Sequence, residues 1–109
     1  MKIFISQLMK DKTQEEILVD RAYAIEHARR IYDGQQLEII DSYFEDYEPK
    51  CEGERRALKY LAKSIELLAD ADAVVFAPGW ESGRGCKIEQ LCAMEYGIHR
   101  IYLPSREGQ

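Results

Sequence analysis

Long apolar runs are missing from this chain, and no stretch approaches the roughly 20 residues needed to span a bilayer. The opening Met1-Lys2-Ile3-Phe4-Ile5 is broken by Ser6 and Gln7, too early for the core of a secretory signal. A soluble, cytoplasmic protein with no membrane partner is expected. Cysteine is scarce: Cys51, Cys86 and Cys92 are odd in number and without paired spacing, which excludes a disulfide framework. Thiols left free fit a reducing compartment. Histidine is scarcer, with only His27 and His99, and no local Cys/His cluster has metal-knuckle spacing, so neither a metal site nor a cofactor is expected. Positive charge is in deficit, 15 Lys and Arg against 20 Asp and Glu, for a net charge of −5. An acidic chain of this kind carries no nucleic-acid footprint. The one basic cluster, Arg55, Arg56 and Lys59, reads as a solvated helix face. There is no internal repeat and no low-complexity segment.

What is present is ordinary globular material: 109 residues, 46% hydrophobic and 32% charged, enough for one domain over 1–109. Residues 2–6 read as a short apolar strand. Thr13 and Glu16 have capping-box spacing and open a helix. Its apolar positions are Ile17, Ala24, Ala28 and Ile31, with Leu18, Ile25 and Tyr32 beside them, and Gly34 ends it. Residues 37–40 form a second strand. A polar and aromatic stretch, 41–53, is long for a loop in a compact domain. The next helix, about 54–68, has Ala57, Leu61, Ser64, Ile65 and Leu68 as its expected buried stripe. Residues 73–77 are continuously apolar, as a strand covered on both faces should be. A glycine-rich turn, 78–85, leads to a third helix over about 84–96 with Gly97 as its cap, and 100–103 is the last strand. Residues 105–109 read as a tail. This alternation predicts a three-layer α/β/α sandwich of Rossmann/flavodoxin-like type, about four parallel strands in the order 2-1-3-4.

Ligands of open parallel sheets bind beyond the carboxyl ends of the strands, where the strand order reverses. That point lies between strands one and three, where Ser6, Gln7 and Met9 leave one strand and Gly79 and Trp80 leave the other. Asp41 leaves strand two next door. Glu89 is the strongest candidate for chemistry. It sits about one turn inside the third helix, and helical side chains lean toward the N-terminus, toward the crevice. Gly85 and Ala93, one turn away on either side, are small and leave room for a ligand. The helix dipole is expected to favour the ionised carboxylate a nucleophile needs. Periodicity also fits a surface glutamate at the edge of a buried stripe made by Ile88, Leu91, Cys92 and Tyr96, and pattern alone does not decide. Arg84, at a helix start after glycines, is either a phosphate holder or an exposed arginine. Trp80 either stacks on a ligand or covers the core. Asp41 either bonds ribose hydroxyls or is a turn residue. Cys86, with no local histidine partner, reads as a small packing residue rather than a nucleophile.

The run Gly85-Cys86-Lys87-Ile88-Glu89-Gln90-Leu91-Cys92-Ala93 resembles the helix of nucleoside 2-deoxyribosyltransferases and their hydrolase relatives, where a Gly stands four residues before a nucleophilic Glu. The strand Ala71-Asp72-Ala73-Val74-Val75-Phe76-Ala77 and the opening Lys2-Ile3-Phe4-Ile5-Ser6-Gln7-Leu8-Met9 are similar to that superfamily too. Small phage and bacterial proteins of the superfamily carry a GWExxRGCxxE pattern, and 79–89 fits it throughout. The resemblance implies N-glycosidic bond transfer or hydrolysis on a (deoxy)nucleoside or nucleotide, with Glu89 attacking the anomeric carbon. It implies that Ser6, Gln7, Met9, Asp41, Gly79, Trp80, Glu81, Arg84 and Gly85 surround a small-molecule substrate, and that the protein is a homo-oligomer. The transferases carry an Asp six residues before the nucleophile that contacts the base; that position is Gly83 here, and Glu81 or Asp41 is a possible substitute. The alternative is a non-catalytic module that binds or sequesters a nucleotide.

Overall fold

Strand β1, Lys2–Ser6, alternates its side chains between two faces, and that alternation organises the whole molecule. The computed structural model describes residues 1–40 and 52–104. Ile3 and Ile5 point to one face, into a cluster with Ala24, Ala28, Ala73, Val75 and Ala77. Phe4 points to the other, into a cluster with Leu68, Val74, Phe76 and Ala93. Strands β2 (Glu38–Ile40), β3 (Ala73–Phe76) and β4 (His99–Tyr102) complete a parallel sheet in the order β2-β1-β3-β4. The register sets Phe4 beside Ile40 and Val74, and Ser6 beside Phe76. Helix α1 (Gln14–Ile31) covers the first face; α2 (Gly53–Leu68) and α3 (Arg84–Glu95) cover the second. The sandwich and strand order are those expected.

Helix α1 begins as its sequence dictates. Thr13 Oγ1 accepts from the Glu16 amide at 3.1 Å, and the Thr13 amide donates to Glu16 Oε1 at 3.0 Å. Its end and its buried stripe differ from expectation. The helix stops at Ile31 with Tyr32 as its C-cap, and Gly34 takes φ +85° in the turn beyond. Ile31 and Leu18 are half exposed, while Asp20 joins Ile17, Ala24 and Ala28 in the buried stripe. The buried carboxylate of Asp20 is paired with the Lys12 ammonium, so a charge is admitted there by its partner.

The other two stripes also need correction. In α2 only Leu68 is buried; Ala57 is exposed, and Leu61, Ser64 and Ile65 are half buried. The N-terminal half of that helix overhangs a cavity rather than the sheet. In α3 the buried residues are Cys86, Glu89 and Ala93. Ile88, Leu91 and Tyr96 are exposed, with Tyr96 83% accessible. Strand β4 is one residue earlier than expected, and the Gly97 cap after α3 has the left-handed φ of +71°. Among the described residues no helix is long and apolar enough to cross a membrane.

Candidate functional site

The site is assembled at the carboxyl end of β1. The pleat sends Ser6 to the same face as Phe4, under α3, and there its hydroxyl donates to Glu89 Oε1 at 2.7 Å. Both side chains are buried, Ser6 at 1% and Glu89 at 7% exposure. Glu89 therefore lies in the middle of the α3 stripe and not at its edge. It lines a cavity of about 680 Å³. Gly83, Arg84, Gly85 and Cys86 form one wall, the loop from Gln7 to Lys10 a second, and Glu54, Ala57, Tyr60, Leu61 and Ser64 of α2 a third.

Burial controls the chemistry of this carboxyl group. Desolvation pushes the Glu89 pKa up to about 7, against the hydrogen bond from Ser6, which pulls it down. The helix dipole was expected to keep the group ionised, but its effect fades within the first turn. Glu89 is the sixth residue of α3, and desolvation wins there. The neighbouring Cys86 thiol is pushed up to about 11, first by burial and then by the Glu89 charge, against a hydrogen bond with Ser6. It is a thiol and not a thiolate at neutral pH, which agrees with a packing role.

The loop after β1 is anchored from α1. Gln7 Nε2 donates to the Ile17 carbonyl at 2.9 Å, Lys12 is paired with Asp20, and the Lys12 amide donates to the Met9 carbonyl at 3.2 Å. These bonds hold Leu8, Met9 and Lys10 against the cavity. Gln7 borders the cavity, but its amide nitrogen serves as an anchor. Its Oε1 is buried without a hydrogen-bond partner among the described residues.

Of the residues expected to surround a ligand, Gln7, Met9, Arg84, Gly85 and Glu89 line the cavity. Ser6 lies behind Glu89 and does not. Trp80 is turned away into an aromatic group with Phe76 (5.1 Å between ring centroids) and Tyr102 (5.3 Å), so the core-covering reading is the right one. Gly79 and Glu81 are also outside the cavity lining; Gly79 has φ +88° and starts the single 3-10 turn Trp80–Ser82 that redirects the chain into α3. Glu81 is exposed. Asp41 lies outside the described residues. Arg84 Nη1 donates to Glu54 Oε2 at 2.6 Å, an exposed pair that joins the first turns of α2 and α3.

A Cβ at Gly83 would stand 3.1 Å from Cys86 Sγ and 3.3 Å from Leu8 Cδ1, so a larger residue there requires these side chains to give by a few tenths of an ångström. Sequence reasoning overlooked the whole α2 wall, because a helix stripe containing Ala57 and Leu61 looks like core. Ser64, polar on that stripe, was the available signal. Lys10 and Ser82 were also overlooked, lying in turns with no pattern of their own. No three His, Cys, Asp or Glu side chains among the described residues gather into a metal-binding group.

The fold and the site define a parallel α/β protein with a buried carboxyl, Glu89, facing a cavity at the carboxyl end of its sheet. No family model, curated protein or solved structure matches the chain.

Proposed function

We propose that this protein carries out N-glycosidic transfer or hydrolysis on a (deoxy)nucleoside or nucleotide, with Glu89 as the nucleophile. One observation carries the reading: Glu89 faces a cavity of about 680 Å³ with Oε1 held by Ser6 and Oε2 without a hydrogen-bond partner among the described residues. That volume is within the usual range for small-molecule sites, about 300–1,000 Å³. Small neighbours keep the approach open, since Gly85 lines the same wall. In the proposed reaction Oε2 bonds to the anomeric carbon as the C1′–N bond breaks, and the bond pair leaves with the base, which takes up a proton. A second base or a water then displaces Glu89 from the glycosyl ester. Attack needs the ionised carboxylate, so base release rises with pH through about 7 and levels above it.

The test is incubation of the wild type and Glu89→Ala with deoxynucleosides, their 5′-monophosphates and NAD, with and without a second base, free base being read by chromatography. Base release by the wild type and a loss of at least about 1,000-fold in the variant are expected. Release that survives in Glu89→Ala removes Glu89 from the mechanism. A second reading, a nucleotide-binding module, is favoured by the raised proton affinity of Glu89, which lets a neutral carboxyl donate a hydrogen bond near pH 7. Binding by calorimetry with no turnover in either protein would select it.

A further inference from the structure

Among the described residues Ser6 contributes the only hydroxyl bonded to Glu89, and it does so from the sheet, outside the cavity lining. A hydroxyl has one hydrogen and two lone pairs. Here the hydrogen is directed to Glu89 Oε1 at 2.7 Å. The other titratable side chains around the cavity are Lys10, Glu54, Tyr60 and Arg84, and none of them bonds Glu89; Arg84 and Glu54 are paired with each other.

We propose that Ser6 is the positioning residue of this site: the buried hydrogen bond from the Ser6 hydroxyl to Glu89 Oε1 fixes the carboxylate so that Oε2 alone meets the anomeric carbon. The inference rests on the glycosidic reading of Glu89. It departs from the expectation that Ser6 touches substrate. The bond does two separable things. It favours the ionised form of Glu89, and it holds the carboxyl plane in one orientation within the cavity wall.

The two effects are read separately in Ser6→Ala and Ser6→Thr, each checked for folding by circular dichroism. The Glu89 carboxyl is titrated by carbon NMR without any ligand, and base release is followed from pH 5 to pH 9. In Ser6→Ala the carboxyl midpoint moves up by about one unit, and the acidic limb of kcat moves with it. At pH 9, where Glu89 is ionised in both proteins, kcat remains about 10-fold low with KM within about 2-fold, which is the orientation effect. Ser6→Thr keeps the hydroxyl and restores the midpoint. A carboxyl midpoint and a pH profile unchanged in Ser6→Ala overturn the proposal while leaving Glu89 as nucleophile. Equal kcat at pH 9 overturns the orientation role. No base release by the wild type overturns the glycosidic reading and with it the reaction Ser6 serves, an outcome told apart by the wild type alone.

Discussion

Glu89 is held in the folded protein at a cost that its pKa makes measurable. Its carboxyl titrates near 7 when folded and near the model-peptide value of 4.5 when unfolded. Between those values the folded state binds the proton more tightly. Stability is therefore full below about pH 4.5, falls as pH rises through about 7, and is level above that. The difference is on the order of 3 kcal/mol for this group alone. Glu89→Gln removes the titrating group while keeping an acceptor for the Ser6 hydroxyl. We expect this variant to melt several degrees above the wild type at pH 8 and close to it at pH 4.5. Equal melting temperatures at pH 8 would mean that Glu89 is far better solvated than its 7% exposure implies.

At the scale of elements, two glycines two residues apart make opposite predictions. Gly83 precedes α3 with φ −94°, a conformation open to any residue, yet its missing Cβ is what lets Leu8 and Cys86 approach. Gly83→Ala is expected to cost about 1–2 kcal/mol, read as a lower denaturation midpoint. Gly85 lies within the helix, and a Cβ there meets only Leu61 Cδ1 at 3.7 Å, an ordinary contact. Gly85→Ala should match or exceed the wild type in stability by up to about 1 kcal/mol, because alanine is the better helix former. It also puts a methyl on the cavity wall, so KM for the substrate should rise while the melting temperature does not fall. The same helix shows where pattern reading fails. Ile88 and Leu91 looked like its buried face, but α3 turns Cys86, Glu89 and Ala93 inward and leaves both apolar residues exposed. A period of 3.6 identifies stripes on a helix without saying which one meets the sheet. In α3 the inward stripe includes the Glu89 carboxyl, so hydrophobicity pointed to the wrong face.

Across the whole molecule, burial is concentrated in the two inner strands. Ile3, Phe4, Ile5, Ala73, Val74, Val75 and Phe76 are all 1% exposed or less, whereas the outer strands β2 and β4 have no buried residue. Native-state hydrogen exchange should therefore show β1 and β3 amides exchanging only by global unfolding, and β2 and β4 amides exchanging earlier through local opening. Uniform protection across all four strands would contradict this ordering. The ordering bears on the site, because Ser6 ends an inner strand and Glu89 is bonded to it. The Glu89 carboxyl is thus tied to a buried inner strand of the sheet, while the opposite wall, α2, has one buried residue only.

The alternation of strands and helices, the 2-1-3-4 order and the Thr13 capping box were all legible in the sequence, whereas the pattern left Glu89 open between a crevice carboxyl and a surface residue. They depend on local signals, namely period, capping chemistry and glycine placement, and on the handedness that parallel crossovers share. What only the tertiary structure decided was orientation. The sequence could place Trp80 beside the crevice but not turn it toward Phe76 and Tyr102. It could place Ser6 at a strand end but not 2.7 Å from a residue 83 positions away. The α2 stripe read as core, and only the overhang of that helix made it the wall of a cavity. Side-chain direction at such points depends on how helices settle on a sheet. That is a balance of packing between elements distant in sequence, and no local pattern encodes it.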